Sequence, residues 1–184
     1  QDGVNPDRRF TPFSASAGLL FELNEHYHLK LYTTRAERSP VSEELYSFGP
    51  HLATASFERG DDALEIETAS NFEIGIDRHG GPFGWRVNVY WQNVADYIVQ
   101  QEVDAGLDAD GSGVLAQDGA ADRVDEEGLF DPEGELLLLD YRAADARFWG
   151  AEGELSYAWE VLGTELRARA FADLARGRLD QGGD

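Results

Sequence analysis

The groups in this chain with the chemistry to bind something are its four histidines and its many carboxylates. His51 lies in the segment RSPVSEELYSFGPHLATASFERG, residues 38–60, with Glu43, Glu44 and Glu58 close by in sequence. Zinc prefers nitrogen and sulfur ligands with some carboxylate, and the chain has no cysteine, so histidine with Asp or Glu is the only set on offer. His51 is the leading candidate for contact with a ligand; the plainer reading is that Gly49-Pro50-His51 only shapes the loop. His26 and His28 stand two apart, which on one strand face would offer two imidazoles to one metal, against a simple surface role. Asp108-Ala-Asp110-Gly-Ser112-Gly113 has the one-three-five oxygen spacing and the sixth-position glycine of a calcium loop. Position twelve is Gly119 where a bidentate Glu is needed, so the match stops there, although Asp104, Asp118 and Asp122 could complete an irregular oxygen cage. Catalytic patterns are missing: there is no nucleophile elbow, no phosphate loop and no HExxH. Glu152 and Glu154 share a face, but that spacing recurs on any acidic strand, and a glycosidase reading is rejected.

The elements that must hold these groups read as strands. Phe13 to Leu23 alternates apolar and polar residues, Tyr27 to about Arg35 does so after a short turn at Asn24-Glu25, and Phe72, Ile74 and Ile76 alternate with Asn71, Glu73, Gly75 and Asp77. After an HGGPF turn, Trp85, Val87, Val89 and Trp91 oppose Arg86, Asn88, Tyr90 and Gln92. The run from Leu136 to about Glu160 and a last strand from about Leu166 to Leu174 complete six, all with the period of two that a half-buried strand requires. Short turns follow the first, third and fifth strands; long loops, 38–66 and 104–135, follow the second and fourth. Ser42 is placed to cap one helical turn in the first loop, and the second is acidic and rich in glycine. Alternating long and short connections belong to an up-and-down membrane barrel, with Lys30, Arg86, Glu152, Glu154, Arg167 and Arg169 facing a polar lumen and Trp85, Trp91, Tyr157 and Trp159 forming interfacial girdles. A soluble sandwich also alternates, and it must cover the Trp85-Val87-Val89-Trp91 face, which lipid would otherwise cover.

Composition narrows the partners. Over 184 residues, 36 acidic against 15 basic side chains give a formal charge of -21, which argues against nucleic acid and against an anionic membrane surface, and favours cations. No stretch has the ~20 apolar residues of a transmembrane helix, a fact that leaves barrel strands open. The chain starts at Gln1 without a signal segment and both ends are turn-like, so it is expected to be part of something longer.

The 38–60 segment resembles a loop signature of TonB-dependent outer-membrane receptors, R-x-P-x-x-E-E-L-Y-x-x-G-P-H-x-A-T-x-x-F-E-x-G. Arg38, Pro40, Glu43, Glu44, Leu45, Tyr46, Gly49, Pro50, His51, Ala53, Thr54, Phe57, Glu58 and Gly60 all match. The likeness continues through LEIETASNFEIGI (64–76), NVADYIV (93–99) and GAEGELSY (150–157), and is greatest to zinc-type receptors. It implies an all-β fold, a portion of an antiparallel up-and-down transmembrane β-barrel with about six strands and two long extracellular loops. Residues 1–184 would then form one barrel segment of a Gram-negative outer-membrane transporter, embedded in lipid. Its cargo would be a scarce nutrient, a divalent metal such as zinc, with iron chelates (siderophores) as the alternative. Energy would come from a TonB complex engaging an N-terminal plug and box, neither of which is in this sequence. An acidic soluble β domain binding cations or a protein is the reading from another class. His51, Glu43, Glu44 and Glu58 would serve as the substrate-contact loop, and Asp108, Asp110 and Ser112 as possible calcium ligands.

Overall fold

The computed structural model describes residues 8–105 and 119–180, so the expected calcium ligands Asp108, Asp110 and Ser112, and Asp118 with them, lie outside the described residues. Strands run at Ala15–Asn24 (β1), Tyr27–Arg38 (β2), Phe48–His51 (β3), Ser56–Arg59 (β4), Glu67–Arg78 (β5), Phe83–Glu102 (β6), Arg123–Val124 (β7), Leu136–Val161 (β8) and Thr164–Asp180 (β9), with one short helix, α1, at Ser42–Tyr46. The six long strands β1, β2, β5, β6, β8 and β9 are those expected from period-two alternation, and they neighbour one another in chain order. The ladders β1–β2, β5–β6 and β8–β9 are antiparallel.

The turns follow from local chemistry. β1 and β2 are joined by Glu25-His26, with the Asn24 side-chain oxygen accepting the His26 N–H at 2.9 Å. Gly80 and Gly81 take positive φ between β5 and β6, and Leu162-Gly163 does so at both positions between β8 and β9. In the β8–β9 turn, where Val161 pairs with Thr164, that is the backbone twist a two-residue hairpin demands. Leu162 is thereby strained for a β-turn former, and Gly163 takes the second left-handed position at no steric cost.

The chain divides into two compact units, one comprising Gln1–Arg38, Thr68–Ala95 and Asp145–Asp184, the other Ser39–Glu67 and Asp96–Ala144. Their interiors are opposite in kind. In the first unit the apolar residues stand on one sheet face and are bare: Phe72 pairs across with Trp91, Ile74 with Val89 and Ile76 with Val87, yet Phe72, Ile74, Val87, Val89 and Trp91 are 40–52% exposed. Every described residue of β1 is exposed, as is most of β9. A water-soluble sandwich cannot leave such a face uncovered, since the hydrophobic gain of folding comes from removing it from water. The second unit has an ordinary core, in which Phe57, Val103, Val124, Leu136 and Leu138 are buried together.

The two expected loops supply Phe57 and Val124 to that core, and the residues at the end of β6 and the start of β8 supply Val103, Leu136 and Leu138. Leu45 of α1 is buried, β3 and β4 form a hairpin, and β4 then lies parallel to the first residues of β8, Phe57 opposite Leu138. This parallel pairing and the strands β3, β4 and β7 were not legible as periodicity, because segments of two to four residues are too short to show a period. α1 is also capped differently from expectation. Its N-cap is Val41, not Ser42, and the Glu44 carboxylate reaches back to accept the Val41 N–H at 2.9 Å. Glu44 supplies the half of a capping box that satisfies the N-cap's own N–H, not the bond an N-cap hydroxyl would make to the N–H groups further in.

β6 and β8 have 20 and 26 residues, about twice the 9–11 that a tilted transmembrane strand needs. On β6 the ladder to β5 ends at Ala95, opposite Thr68, and Asp96 follows with φ 54°, so the strand carries on into the second unit past a local irregularity of the kind a bulge makes.

Candidate contact loop and polar sheet face

Most of the 38–60 signature holds the loop together. Phe57 is 1% exposed and meets the Phe48 ring edge-on at 5.1 Å. Gly60 is required because a Cβ there would come within 2.5 Å of the Leu45 carbonyl carbon and the Tyr46 nitrogen, and this close approach lets the Gly60 N–H reach the Ser47 carbonyl at 2.8 Å. Pro50 sits in β3, which pairs only with β4 among the described residues, where a missing N–H costs no ladder bond. Arg59 forks onto Asp140 at 2.6 and 2.9 Å, tying β4 to β8 with a bidentate charged pair.

His51 and Glu58 are left with no such framework task, and the hairpin brings them together. His51 closes β3 opposite Ser56, which puts its Nδ1 2.9 Å from Glu58 Oε1 and 3.1 Å from Thr54 Oγ1. Thr54 in turn donates to the His51 carbonyl at 3.1 Å and lies 2.7 Å from Ser56 Oγ. A carboxylate 2.9 Å from Nδ1 favours the tautomer with the proton there, which leaves Nε2 as the ring's lone-pair donor, the arrangement that orients a ligating histidine. The imidazole is more than half exposed. Glu43, His51, Glu58, Gln100 and Tyr141 line one open cleft. Burial, and then the Glu58 and Glu44 carboxylates, push the Tyr141 phenol above its usual range, while its bond to Gln100 opposes them. Of the four expected contact residues, then, His51, Glu43 and Glu58 share a cleft, and Glu44 is committed to the helix cap.

The carboxylates of this unit are numerous. It holds 21 acidic and 3 basic residues, so it carries 18 of the chain's 21 net negative charges. Several of them work on the backbone. Asp125 accepts the N–H groups of Glu127 and Leu129 at 3.0 and 2.8 Å, and Asp131 that of Glu133 at 2.9 Å, as turn-forming aspartates do. Asp104 accepts from Gly119 at 2.7 Å and Asp122 from Ala105 at 2.9 Å. These two were expected as spare calcium ligands, and the structure employs them to brace the base of the acidic loop.

In the first unit the face opposite the bare apolar one is charged. Arg86 and Arg169 flank Glu154 at 3.9 and 4.0 Å, and Lys30 Nζ sits 2.6 Å from Asp77 Oδ1. His26 and His28, weighed in sequence as two imidazoles for one metal against the plainer surface role, do not share a strand face. His26 is a turn residue, and its carbonyl accepts the His79 N–H at 2.9 Å. His28, on β2, instead stacks on His79 with ring centroids 4.1 Å apart. Asp77 and His79 were missed because their partner lies some fifty residues away, although the alternation of β5 puts Asp77 on the polar face.

A sheet that leaves its apolar face to lipid, turns a charged face the other way and alternates short hairpins with long folded connections is a portion of an outer-membrane type of transmembrane β-barrel. The chain belongs to the family described as TonB dependent receptor-like, beta-barrel, whose pattern it matches over residues 1–181. Members of that family are outer-membrane β-barrel proteins of Gram-negative bacteria. Among solved structures it is similar in fold to the copper transporter OprC, with a TM-score of 0.55, 18% identity and coverage of 89% of this chain and 20% of that one. It is also similar to the siderophore receptor PirA from Pseudomonas aeruginosa, with a TM-score of 0.51, 17% identity and coverage of 90% and 27%. Identities this low speak to the fold alone. The chain spans 20% and 27% of the lengths of these two structures.

Proposed function

We propose that this chain is the part of an outer-membrane importer that carries its first contact with a divalent transition metal, zinc above others, made by His51 with Glu43 beside it. The observation that carries this is the His51–Glu58 pair at 2.9 Å. It favours Nε2 as the His51 ring's lone-pair donor, in a unit with 18 net negative charges. Such a field concentrates cations and repels anionic chelates, which favours a bare ion over the siderophore class. A histidine-plus-carboxylate set suits zinc. Of the two structures it is similar to, one is a copper transporter and the other a siderophore receptor, so both cargo classes stay in view. Residues 38–66 and 104–135 would be the extracellular loops, outer-membrane lipid would cover the apolar face, and a TonB complex would supply energy through a plug domain. Calcium at Asp108, Asp110 and Ser112 remains a proposal on the sequence pattern alone.

The test is zinc uptake by the full-length receptor and its His51→Ala and Glu58→Gln variants in zinc-limited cells. We expect His51→Ala to need at least about tenfold more external zinc, and Glu58→Gln, which removes the group orienting that imidazole, to lose about tenfold in affinity. Unchanged uptake in His51→Ala would take this residue out of the site. Growth on an iron chelate as sole iron source, without zinc uptake, would move the receptor to the siderophore class.

A further inference from the structure

We propose that His28, Asp77 and His79 form a second divalent-metal site, on the polar face of the strand sheet beside the β1–β2 and β5–β6 turns. Asp77 Oδ2 lies 3.4 Å from His28 Nδ1 and 3.5 Å from His79 Nδ1, and all three donors fall within 4.8 Å of one another. Formed hydrogen bonds of this type run at about 2.7–3.2 Å, so neither contact is an optimal one. Donors held at zinc-ligand distances, about 2.0–2.2 Å from a tetrahedral ion, stand about 3.3–3.5 Å apart along each edge. The two measured distances therefore match two edges of such a tetrahedron more closely than they match an optimal hydrogen bond.

The three groups are also held in place before any ion arrives. Asp77 is buried at the end of β5. His79 is fixed by its N–H bond to the His26 carbonyl at 2.9 Å. The turn beyond is closed by the Arg78 guanidinium on the Phe83 carbonyl. Gly80 has φ 78°, and a Cβ there would stand 3.0 Å from the His26 ring, so glycine lets the turn that carries His79 take this left-handed backbone close beside His26. The stacked imidazoles at 4.1 Å, with planes 23° apart, both aim Nδ1 at the same carboxylate oxygen.

Two histidines and one carboxylate make three protein ligands, which leaves a fourth position open, as in sites where the ion exchanges or reacts. Lys30 adds a second constraint. Its ammonium, 2.6 Å from the other Asp77 oxygen, restricts the carboxylate to monodentate ligation and places a positive charge beside the ion. Both effects weaken retention. A three-ligand site weakened by a cation suits an ion in passage better than a permanent structural ion. The site stands on residues separate from His51; its use as a staging point for imported metal rests on the uptake function proposed above.

The test uses the full-length receptor in detergent, freed of metal, titrated with zinc chloride by equilibrium dialysis and with cobalt(II) by absorption. The wild type should show an equivalent of zinc that is absent from His28→Ala and from His79→Ala, and the intense visible band of four-coordinate cobalt should vanish with it. His51→Ala should retain both. Lys30→Gln should tighten this equivalent on the order of tenfold, the scale of one removed like charge near a partly exposed site, and such a gain cannot arise from misfolding. Retention of the full equivalent and the cobalt band in both histidine variants would overturn the site. If His51→Ala leaves uptake intact while the histidine variants lose the equivalent, the loop reading fails and this site stands.

Discussion

Placing an arginine at Val89 separates a lipid-facing sheet from a water-facing one by its cost alone. Val89 is 52% exposed and pairs across the ladder with Ile74, between the two tryptophans Trp85 and Trp91. If that face met water, an arginine at a half-exposed strand position would change stability by about 0.5 kcal/mol, plus roughly 0.2–1 kcal/mol for the lost pairing with Ile74. Against hydrocarbon near the middle of the apolar band the cost is about 2–4 kcal/mol. The adjacent residue supplies the control at the same depth. Asn88 lies on the opposite face, across from Gly75, where the side chain has no Cβ to displace, so Asn88→Lys should cost less than about 1 kcal/mol. The assay is reversible denaturant unfolding of the full-length receptor in phospholipid vesicles, comparing Val89→Arg, Asn88→Lys and wild type. Equal costs for the two variants, or a cost below about 1.5 kcal/mol for Val89→Arg, would refute the assignment of this face to lipid.

Phe57→Ala should cost about 3–5 kcal/mol within the second unit, the range for a fully buried aromatic, because Phe57 is 1% exposed and joins the core of Val103, Val124, Leu136 and Leu138. Limited proteolysis should then cut within residues 39–67 while β5 and the lower part of β6 stay protected; an unchanged cleavage pattern would contradict the core assignment. Tyr141 should ionise above the usual tyrosine range, read as the ultraviolet difference between wild type and Tyr141→Phe during alkaline titration. Because the folded value is raised, its stabilising contribution is complete below the unfolded value of about 10 and is lost as pH rises through the folded one. Glu58→Gln should move the titration back only in part, since burial is the larger cause, and a complete return would reverse that order.

The six long strands were legible because each runs ten residues or more and half its side chains must match lipid, which enforces period two over the whole length. Their sequential pairing followed from the short turns. The folding of the two long connections was not legible. There the core comes from single residues far apart, such as Phe57, Val103 and Val124, and strands of two to four residues leave no periodic trace. The His51–Glu58 pair could be anticipated, since both stand in one segment. The His28–Asp77–His79 group could not, because only the register of β2, β5 and the turn after it sets those donors side by side; the matching parity of His28 and Asp77 on polar faces was the one available sign. His26 misled for a related reason. Spacing of two implies a shared face only if both residues are in the strand, and the Asn24 side chain ends β1 in time to put His26 in the turn.

The distribution of charge connects the two metal-contact readings. The first unit holds 15 acidic and 12 basic residues, close to balance, against 21 and 3 in the second. On the sheet's polar face cations stand beside carboxylates, Lys30 by Asp77 and Arg86 and Arg169 by Glu154. In the acidic unit no comparable supply of cations exists, so its field is left for mobile ions to neutralise. A divalent ion thus gains more from the long-range field of the acidic unit than from the balanced sheet face, where what holds it must be short-range coordination by His28, Asp77 and His79. Capture by the acidic unit should accordingly weaken as salt is raised, whereas binding at the three-ligand group should respond to salt much less and to Lys30→Gln much more. That contrast follows from the sequence itself, because the acidic residues are concentrated in the two long connections and the arginines in the strands.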